Sequence, residues 1–531
     1  MRLSLQTMNN LSEGYALPQY DVQAMRKATA AAPRWVHFGA GNIFRMFPAM
    51  MQQTLLNKGL AETGIVVCES YDEELVDAVF APYDNLTAAV TLKADGRMDK
   101  TVVASVAECL AASQSRDRLE AIFTNPSLQM VSFTITEKGY AVRGADGVIF
   151  PFIQSDIDAG PSGVKSLMGL ISALALVRYE AGALPLAFVS MDNCSHNGDK
   201  LKDAVLCIAA AWIEKGLAPK GFADYLQDAA RVGFPLTMID KITPRPANAV
   251  RDILAADGLT EVEPVVTAKN TYAACFVNAE EAGYLVIEDV FPNGRPALDE
   301  AGAIFTSRET VDKVEKMKVC TCLNPLHTAL AVFGCLMGYT SISGEMGNPL
   351  LRKLVEKIGY AEGLPVVINP GIIDPKAFID EVLTKRFPNP FVPDTPQRIA
   401  CDTSQKIPVR FGETLKAYAA QGKDLAALTY IPLFCAGWLR YLLAVDDAGE
   451  AFEPSPDPML AELRAAVAGV VFGKGLGESD GYVDVLKPIL ANANIFGVDL
   501  AAQGLADKVL GMFAEINAGV GAIEKTLEAY L

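Results

Sequence analysis

Histidine is scarce in this sequence: only three occur among 531 residues, at positions 37, 196 and 327. No apolar segment has the length of a signal peptide or a membrane span, because the most hydrophobic run, 425–439, is interrupted by Pro432 and is typical of a buried helix. Basic residues are outnumbered, since 46 Lys and Arg against 63 Asp and Glu leave a net charge of −17. This acidity argues against nucleic acid and anionic membranes as partners. We therefore expect a cytoplasmic protein that binds neither.

Cysteine follows no regular framework either. Ten cysteines are scattered along the chain, and the closest pair, Cys320 and Cys322, lacks the Cys-x-x-Cys spacing of a redox or zinc site. There is no second such pair and the histidines stand singly, so we expect no bound metal. The thiols are expected to be reduced, and the two neighbouring cysteines to be small core residues.

A glycine-rich turn follows a short apolar run in "RWVHFGAGNIFRMF" and precedes a helical pattern. Gly39 allows a tight turn, and Gly41 lets the backbone approach a pyrophosphate. Asn42, Ile43 and Phe44 are expected to bind the cofactor as well, because the helical pattern from Ile43 would present its N-terminus to the phosphates. The pattern predicts a dinucleotide-binding loop, although Phe44 stands where the third glycine of the usual motif is expected, and a plain tight turn is the alternative.

The strand "GIVVCES" that follows this helix ends at Glu69. An acidic residue there holds the adenosine ribose in dinucleotide-binding folds and repels a 2′-phosphate, which favours NAD over NADP. Glu69 lies 28 positions beyond Gly41, farther than the usual ~20. A solvated acid at the end of a strand is the alternative interpretation.

The pattern of apolar residues along the chain changes near residue 305. Up to that point short apolar strands alternate with helical segments, which indicates an α/β fold with a mainly parallel sheet. Beyond it, strands become rare and apolar residues recur with a helical period. The sequence predicts an N-terminal Rossmann-type domain, residues 1–305, followed by a mostly helical domain, residues 306–531.

Three further stretches concentrate polar and titratable side chains. They are "MDNCSHNG" from residue 191, "FPLTMIDKITPRP" from residue 234, and "KVCTCLNPLH" from residue 318. His37 lies inside an apolar strand and is expected to be a satisfied core residue, so His196 and His327 are the candidates for imidazole chemistry. Asn324 precedes a proline and a helical pattern, so it could equally be the N-cap of that helix.

Together, five stretches resemble the polyol-specific long-chain mannitol dehydrogenase family. They are "HFGAGNIFR", "TITEKGY", "VSMDNCSHNG", "FPLTMIDKITP" and the cluster of a lysine with Asn-x-x-His, in the order of the family. The resemblance implies a Rossmann-type domain and a helical domain with the site between them. It also implies zinc-independent interconversion of a secondary alcohol and its ketone with NAD(H) or, less often, NADP(H). The chain resembles the fructuronate reductase (D-mannonate oxidoreductase) branch most.

The resemblance assigns roles to five residues. Lys318 would be the general acid/base, and Glu315 would relay its proton to solvent. Asn193 and Asn324 would bind the developing alkoxide, and His327 would position the reacting hydroxyl. These residue types suit the chemistry, because burial lowers the pKa of a lysine from ~10.4 and neutral amides donate to a transient oxyanion. A solvated helix lysine is the alternative for Lys318.

The same resemblance places substrate contacts on Asp240 and, in "RIACDTSQKIPVR", on Arg398 and Lys406. A sugar acid also needs a cation for its carboxylate, and Arg398, Lys406, Arg245 and Arg45 are candidates. Surface cations are the alternative interpretation of Arg398 and Lys406. The expected substrate is a small sugar acid or polyol, and the expected assembly is a monomer or a small homo-oligomer.

One departure from the family concerns the lysine. The family spaces it from the asparagine by four residues, whereas five separate Lys318 from Asn324. Either a local bulge compensates or Lys318 is aimed differently; Glu315, three residues before Lys318, keeps the family spacing. Three other functions stay open: a mannitol 2-dehydrogenase or other polyol dehydrogenase, a non-catalytic nucleotide- or sugar-sensing protein, and a zinc alcohol dehydrogenase, which metal analysis would reveal.

Overall fold

The computed structural model describes residues 1–474 and 482–531, which form two compact units. The first unit comprises Met1–Lys93 and Arg97–Asp312. The second comprises Lys313–Leu531 together with the short turn Ala94–Gly96. The division falls within the helix Arg308–Met317.

The first unit is built on a six-stranded sheet in which all paired strands are parallel. Its strands, in chain order, are β1 (Trp35–Phe38), β2 (Ile65–Glu69), β3 (Val106–Ala111), β4 (Met130–Phe133), β5 (Leu186–Ser190) and β6 (Val232–Gly233). They are arranged β3-β2-β1-β4-β5-β6, which is the strand order of a dinucleotide-binding fold. The predicted Rossmann-type half is therefore confirmed.

Two hydrophobic cores cover the two faces of this sheet. Val36 and Phe38 belong to one core and Trp35 to the other, because successive side chains of a strand point to opposite faces. Every residue of β1, β2, β4 and β5 is buried. A parallel sheet covered on both faces requires such continuous apolar runs, which is why these strands could be read from the sequence.

Helices and smaller sheets complete the first unit. The helices are Val22–Ala31, Asn42–Met46, Pro48–Asn57, Arg116–Phe123, Pro151–Ala159, Leu167–Glu180, Asn197–Glu214, Gly221–Gln227 and Asn248–Ala256. A four-stranded sheet consists of Tyr15–Ala16, Met98–Val103, Thr87–Leu92 and Phe276–Glu280. A three-stranded sheet consists of Thr237–Asp240, Tyr284–Glu288 and Ile304–Thr306, and a two-stranded one of Val265–Val266 and Tyr272–Ala273.

The second unit is helical, as predicted. Its helices are Asn324–Leu336, Ile342–Glu345, Pro349–Glu356, Pro375–Glu381, Pro396–Ile399, Thr403–Ile407, Glu413–Ala420, Tyr430–Tyr441, Leu460–Ala466, Tyr482–Leu490, Ala493–Phe496, Ala506–Ile516 and Ala522–Tyr530. Wider π-helical turns interrupt them at Lys318–Cys322, Lys357–Gly363, Val382–Arg386 and Pro408–Gly412.

One helical stretch, Arg308–Leu336, is long and apolar enough to cross a membrane by length and composition. Most of its apolar window, 78%, is buried inside the structure, as in the core helix of a folded domain. The run 425–439 forms most of the helix Tyr430–Tyr441, which is buried from Ile431 onward, so its interpretation as a buried helix is confirmed. Pro432 lies in the first turn of this helix, where proline is tolerated.

Candidate active site

The glycine turn lies directly after β1 and leads into the helix Asn42–Met46. Gly39 has φ +106°, and a Cβ atom on it would lie 2.3 Å from the Thr134 carbonyl oxygen, so only glycine fits. Gly41 is the N-cap residue of the helix Asn42–Met46, and a Cβ atom on it would meet nothing within 4 Å. The protein itself therefore does not require glycine at position 41. The open space suits the close approach of a ligand phosphate.

The short helix behind this turn is anchored by Arg45, which is buried. Its Nη1 donates to the carbonyl oxygen of Ala274 at 2.6 Å, and its Nη2 donates to Oδ1 of Asn42 at 2.8 Å. The expectation that Arg45 could bind a substrate carboxylate is wrong, because the Arg45 guanidinium is buried and holds its own helix.

Arg245, another candidate for the substrate carboxylate, is exposed, and its guanidinium lies 5.1 Å from the centre of the Tyr272 ring.

Phe44, in place of the third glycine, is a core residue. Its ring is fully buried and stacks on His37 with centroids 4.1 Å apart, whereas Ile43 is half-buried. The His37 ring nitrogens lie 2.6 Å from Oγ of Ser132 and 2.9 Å from Oγ1 of Thr134. Burial lowers the pKa of His37 to about 3. The interpretation of His37 as a satisfied core histidine is confirmed.

Glu69 ties the end of β2 to the glycine turn. Its Oε2 accepts the N–H of Ala40 at 2.7 Å, and its Oε1 accepts the N–H groups of Ser70, Tyr71 and Asp72 at 3.0, 2.8 and 3.1 Å. The side chain is buried, so Glu69 is not a solvated strand-end acid. Its carboxylate fixes the backbone of the loop that would hold the nucleotide, and contact with a ribose stays a prediction.

The other predicted residues of the first unit lie at strand ends. Asn193 is exposed and follows β5 at a distance of three residues, and Asp240 is the buried last residue of the strand Thr237–Asp240. His196 has a left-handed backbone (φ +52°), is exposed, and places Nδ1 3.1 Å from Oδ2 of Asp199. His196 is therefore a surface residue paired with an acid.

Lys318 opens the π turn Lys318–Cys322, and its side chain is buried at 3% exposure. The N–H of Leu323 donates to the Lys318 carbonyl oxygen at 3.1 Å, five residues back instead of four. Such a turn accommodates one extra residue without rotating the helices on either side. The solvated-lysine interpretation is wrong, and the compensating bulge is the alternative that the structure contains.

In a regular helix, the extra residue would change the angle between Lys318 and Asn324 around the helix axis. In a regular α-helix five steps of about 100° place the second residue about 140° around the axis from the first, and six steps place it about 240° around. Because the π turn absorbs one residue, Lys318 and Asn324 keep an angular relation close to that of a four-residue spacing. Cys320 and Cys322 belong to the same turn, and neither forms a disulfide. Among residues 1–474 and 482–531 there is no group of three or more His, Cys, Asp or Glu that could hold a metal ion.

Asn324 and His327 lie in the first turn of the helix Asn324–Leu336. Asn324 is its first residue and not its N-cap, which is Leu323. The N-cap interpretation of Asn324 is therefore wrong. Glu315 is half-buried on the preceding helix, Arg308–Met317.

His327 is held in a strongly basic environment. Its Nε2 lies 3.6 Å from Oδ2 of Asp394, and its ring packs against Phe387 with centroids 5.0 Å apart. Burial and, to a smaller extent, nearby cations together lower the pKa of His327 to about 3. These cations are Arg410, Arg398, Arg386 and Lys406. The imidazole is thus neutral at physiological pH, and positive charge dominates around it.

The two predicted substrate cations are both part of this group. Arg398 pairs through Nη2 with Oδ1 of Asp394, and its side chain is 62% exposed. Lys406 donates from Nζ to the Ile399 carbonyl oxygen at 2.9 Å, and burial followed by repulsion from Arg410 lowers its pKa. Both can still reach a ligand, because one is exposed and the other uses one of three donors.

Arg410 and Arg386 were not singled out from the sequence. Arg410 donates from Nη1 to Oγ1 of Thr328 and, at 3.4 Å, to the carbonyl oxygen of Asn324, and burial lowers its pKa to about 10. Arg386 is buried at the end of the π turn Val382–Arg386. The available signal was the position of Arg410 at the end of "RIACDTSQKIPVR". Lys318, Arg386 and Arg410 all lie in π turns, which are rare and often mark functional positions.

Comparison with known proteins gives concordant results for both units. A family model described as the mannitol dehydrogenase Rossmann domain matches residues 33–300, and one described as the mannitol dehydrogenase C-terminal domain matches residues 310–512. The D-mannonate oxidoreductase of Thermotoga maritima is 48% identical over 99% of this chain and 98% of its own length. The D-mannonate oxidoreductase of Escherichia coli K12 is 30% identical over 88% of this chain and 89% of its own length.

Among solved structures, the mannitol 2-dehydrogenase of Pseudomonas fluorescens, in a ternary complex with NAD and D-mannitol, superimposes with a TM-score of 0.71. It is 26% identical, and the match covers 100% of this chain and 99% of that protein.

Proposed function

The chain belongs to the mannitol dehydrogenase family, and from this premise we propose that it interconverts D-mannonate and D-fructuronate with NAD(H). It is an oxidoreductase, a dehydrogenase that acts on CH–OH groups. The similarity to two D-mannonate oxidoreductases supports the sugar acid, and the complex of the P. fluorescens relative supports NAD. We propose that residues 1–305 hold the nucleotide, that residues 306–531 supply the acid/base group, and that the enzyme works in the cytoplasm.

The choice of a sugar acid depends mainly on the charges around His327. Four cations lie close enough to lower the pKa of His327, and the carboxylate beside the ring is that of Asp394. A neutral polyol carries no charge to balance these four cations, whereas a substrate carboxylate forms charge-assisted hydrogen bonds with them. The overall net charge of −17 would repel an anion, so a local excess of cations is what an anionic substrate needs. We propose that Arg398, Lys406 and Asp240 contact the substrate.

The nucleotide would lie on the glycine turn. Gly39 and Gly41 shape the turn, Asn42, Ile43 and Phe44 form the first helical residues behind it, and Glu69 holds its backbone. A carboxylate at position 69 favours NAD over NADP. When bound, NAD supplies the acceptor for the hydride of the alcohol.

The protein side chains would handle the proton and the alkoxide. We propose that the Lys318 amine takes the hydroxyl proton, since its side chain is buried and burial favours the neutral form of a lysine, which is the form that can accept a proton. Glu315, one helical turn earlier, passes the proton to solvent. The amides of Asn193 and Asn324 donate to the developing alkoxide, and the neutral His327 imidazole orients the hydroxyl. These groups supply polarisation without zinc.

A substrate panel tests this proposal. With NADH, the enzyme is expected to reduce D-fructuronate with a kcat/KM at least ~10-fold above that for fructose, because a hydrogen bond to a charged group contributes about 1.5–3 kcal/mol. The rates are read from the nicotinamide absorbance, and NADPH in the same assay tests the preference attributed to Glu69. Faster reduction of fructose would make the enzyme a mannitol 2-dehydrogenase instead.

A matched pair of glycine variants tests the nucleotide loop. Gly41→Ala should keep the melting temperature but raise the dissociation constant of NADH about tenfold, because its Cβ fills only the space left for phosphate. Gly39→Ala should instead lower the melting temperature, because its Cβ collides with the Thr134 carbonyl oxygen at 2.3 Å. The comparison uses thermal denaturation and fluorescence titration. Equal NADH affinity in Gly41→Ala and the wild type would contradict the loop assignment.

A further inference from the structure

The carboxylate of Asp192 connects the ends of two neighbouring strands of the parallel sheet. Asp192 lies just after β5, and its Oδ1 accepts the N–H of Thr136 at 2.9 Å. Its Oδ2 accepts the N–H of Ile135 at 2.9 Å and the hydroxyl of Tyr140 at 2.5 Å, and all three donors follow β4. The Ser190 hydroxyl, at the end of β5, donates to the Tyr140 oxygen at 2.8 Å. One carboxylate thus organises the whole segment 135–140.

Thr136 is strained in this arrangement. Its backbone has φ +66° and ψ +159°, a region that is essentially restricted to glycine, although threonine is branched at Cβ. The side chain is exposed, so core packing does not impose this conformation. Two hydrogen bonds restrain its backbone: the N–H donates to Asp192, and the carbonyl oxygen accepts the N–H of Gly139 at 3.0 Å. Strained residues of this kind persist where surrounding contacts over-determine them, often at ligand-binding sites.

The backbone of Asp192 is fixed as well. Its carbonyl oxygen accepts Nδ2 of Asn197 at 2.9 Å, and the same amide donates to Thr237. The fully buried Asn197 and the clamped Asp192 therefore hold both sides of the exposed Asn193. In open parallel sheets this carboxyl-end edge is where ligands bind.

We propose that Asp192 is a positioning residue that sets both the segment 135–140 and the amide of Asn193 in the arrangement required for turnover. The inference rests on the proposed function, in which Asn193 donates to the developing alkoxide. Asp192 itself does not touch the reacting atoms in this proposal. It acts through the backbone that it holds.

Asp192→Asn is the principal test, because asparagine keeps the shape but presents an NH2 group to one of the N–H donors. The variant is expected to lose at least ~10-fold in kcat for D-fructuronate reduction, since small misplacements at a reacting centre have effects of this size. The NADH dissociation constant should change less than ~3-fold and the melting temperature by only a few degrees, because the glycine turn is held by Glu69. A structural role alone would not separate kcat from these two quantities. Asp203→Asn, an exposed acid on the helix Asn197–Glu214, is the matched control and should behave like the wild type.

Tyr140→Phe removes one of the three hydrogen bonds to the Asp192 carboxylate and leaves the two from backbone N–H groups. It therefore tests the positioning role if Asp192→Asn fails to fold. It should lower kcat about threefold without lowering NADH affinity. If Asp192→Asn folds and its kcat is unchanged, the positioning role is overturned. If Asp192→Asn does not fold, an unchanged kcat in Tyr140→Phe overturns it. In both cases turnover by the wild type leaves the proposed function intact. Absence of wild-type turnover on both keto acids and ketoses would overturn the proposed function and this inference with it.

Discussion

Lys318→Ala is expected to lower kcat for D-fructuronate reduction by ~10²–10⁴-fold, the usual contribution of a general acid/base. The Lys318 side chain is 3% exposed and lies in the π turn that precedes Asn324. Lys318 is the lysine three residues after Glu315 and six residues before Asn324. Without its amine, the alkoxide has to take its proton from water. The effect should fall on kcat, since the lysine does not belong to the glycine turn that is proposed to bind NADH. Steady-state rates followed at the nicotinamide absorbance measure it.

Lys316→Ala is the matched control, because Lys316 is the exposed lysine two residues earlier on the same helix. It should keep kcat within about twofold of the wild type, as surface substitutions usually do. A loss in Lys318→Ala no larger than that in Lys316→Ala would remove Lys318 from the mechanism. A wild-type protein that binds NADH but turns over no sugar would be the non-catalytic sensor.

Stability is expected to fall as the pH rises from 6.5 to 9, because of a second buried group, Glu345. It ends the helix Ile342–Glu345, is fully buried, and neither carboxylate oxygen has a hydrogen-bond partner within residues 1–474 and 482–531. Gly334 provides the space for it, since a Cβ atom there would lie 1.8 Å from its Oε1. Burial raises the pKa of Glu345 to about 9.

The sign of the effect follows from proton linkage. Between the unfolded pKa of 4.5 and the folded value of about 9, the folded state holds a proton that the unfolded state has lost. The stabilisation is complete below pH 4.5 and is lost as the pH rises through 9, at about 1.4 kcal/mol per pH unit. From pH 6.5 to 9 this amounts to about 3 kcal/mol. The lowered pKa values of His37 and His327 act in the opposite direction but only below pH 6.5.

Glu345→Gln tests this prediction, because glutamine keeps the volume and cannot ionise. Urea unfolding of the wild type should show a midpoint that falls between pH 6.5 and 9, and the variant should lose most of this dependence and be the more stable protein at pH 9. Glu462→Gln, an exposed acid of the same unit, should retain the wild-type slope. Equal slopes in Glu345→Gln and the wild type would show that the carboxyl is solvated in the folded state.

The parts of the molecule that the sequence predicts well are those fixed by local patterns. Strands β1 and β2, the turn at Gly39 and the helix behind it follow from consecutive apolar runs and from backbone requirements within ten residues of each other. Arg45 is the counter-example, because its partner Ala274 lies 229 positions away in the chain. The sequence alone does not distinguish an arginine that binds a substrate carboxylate from one that donates to a carbonyl group far away in the chain.

The basic environment of His327 was predicted only in part, for a similar reason. Arg398 and Lys406 came from a recognisable motif, but Arg386 and Arg410 belong to separate π turns that tertiary packing brings to the histidine. The wider turn at Lys318 could be anticipated only as one of two alternatives, since spacing alone does not say how a helix absorbs an extra residue.

The π turn at Lys318–Cys322 also governs how this chain must be matched to its relatives. Where a relative has four residues between lysine and asparagine, a one-position gap belongs inside 319–323. A gapless superposition of the two sequences anchored at Asn324 would put Val319 opposite the lysine. It would then misclassify an intact dehydrogenase as a degenerate one.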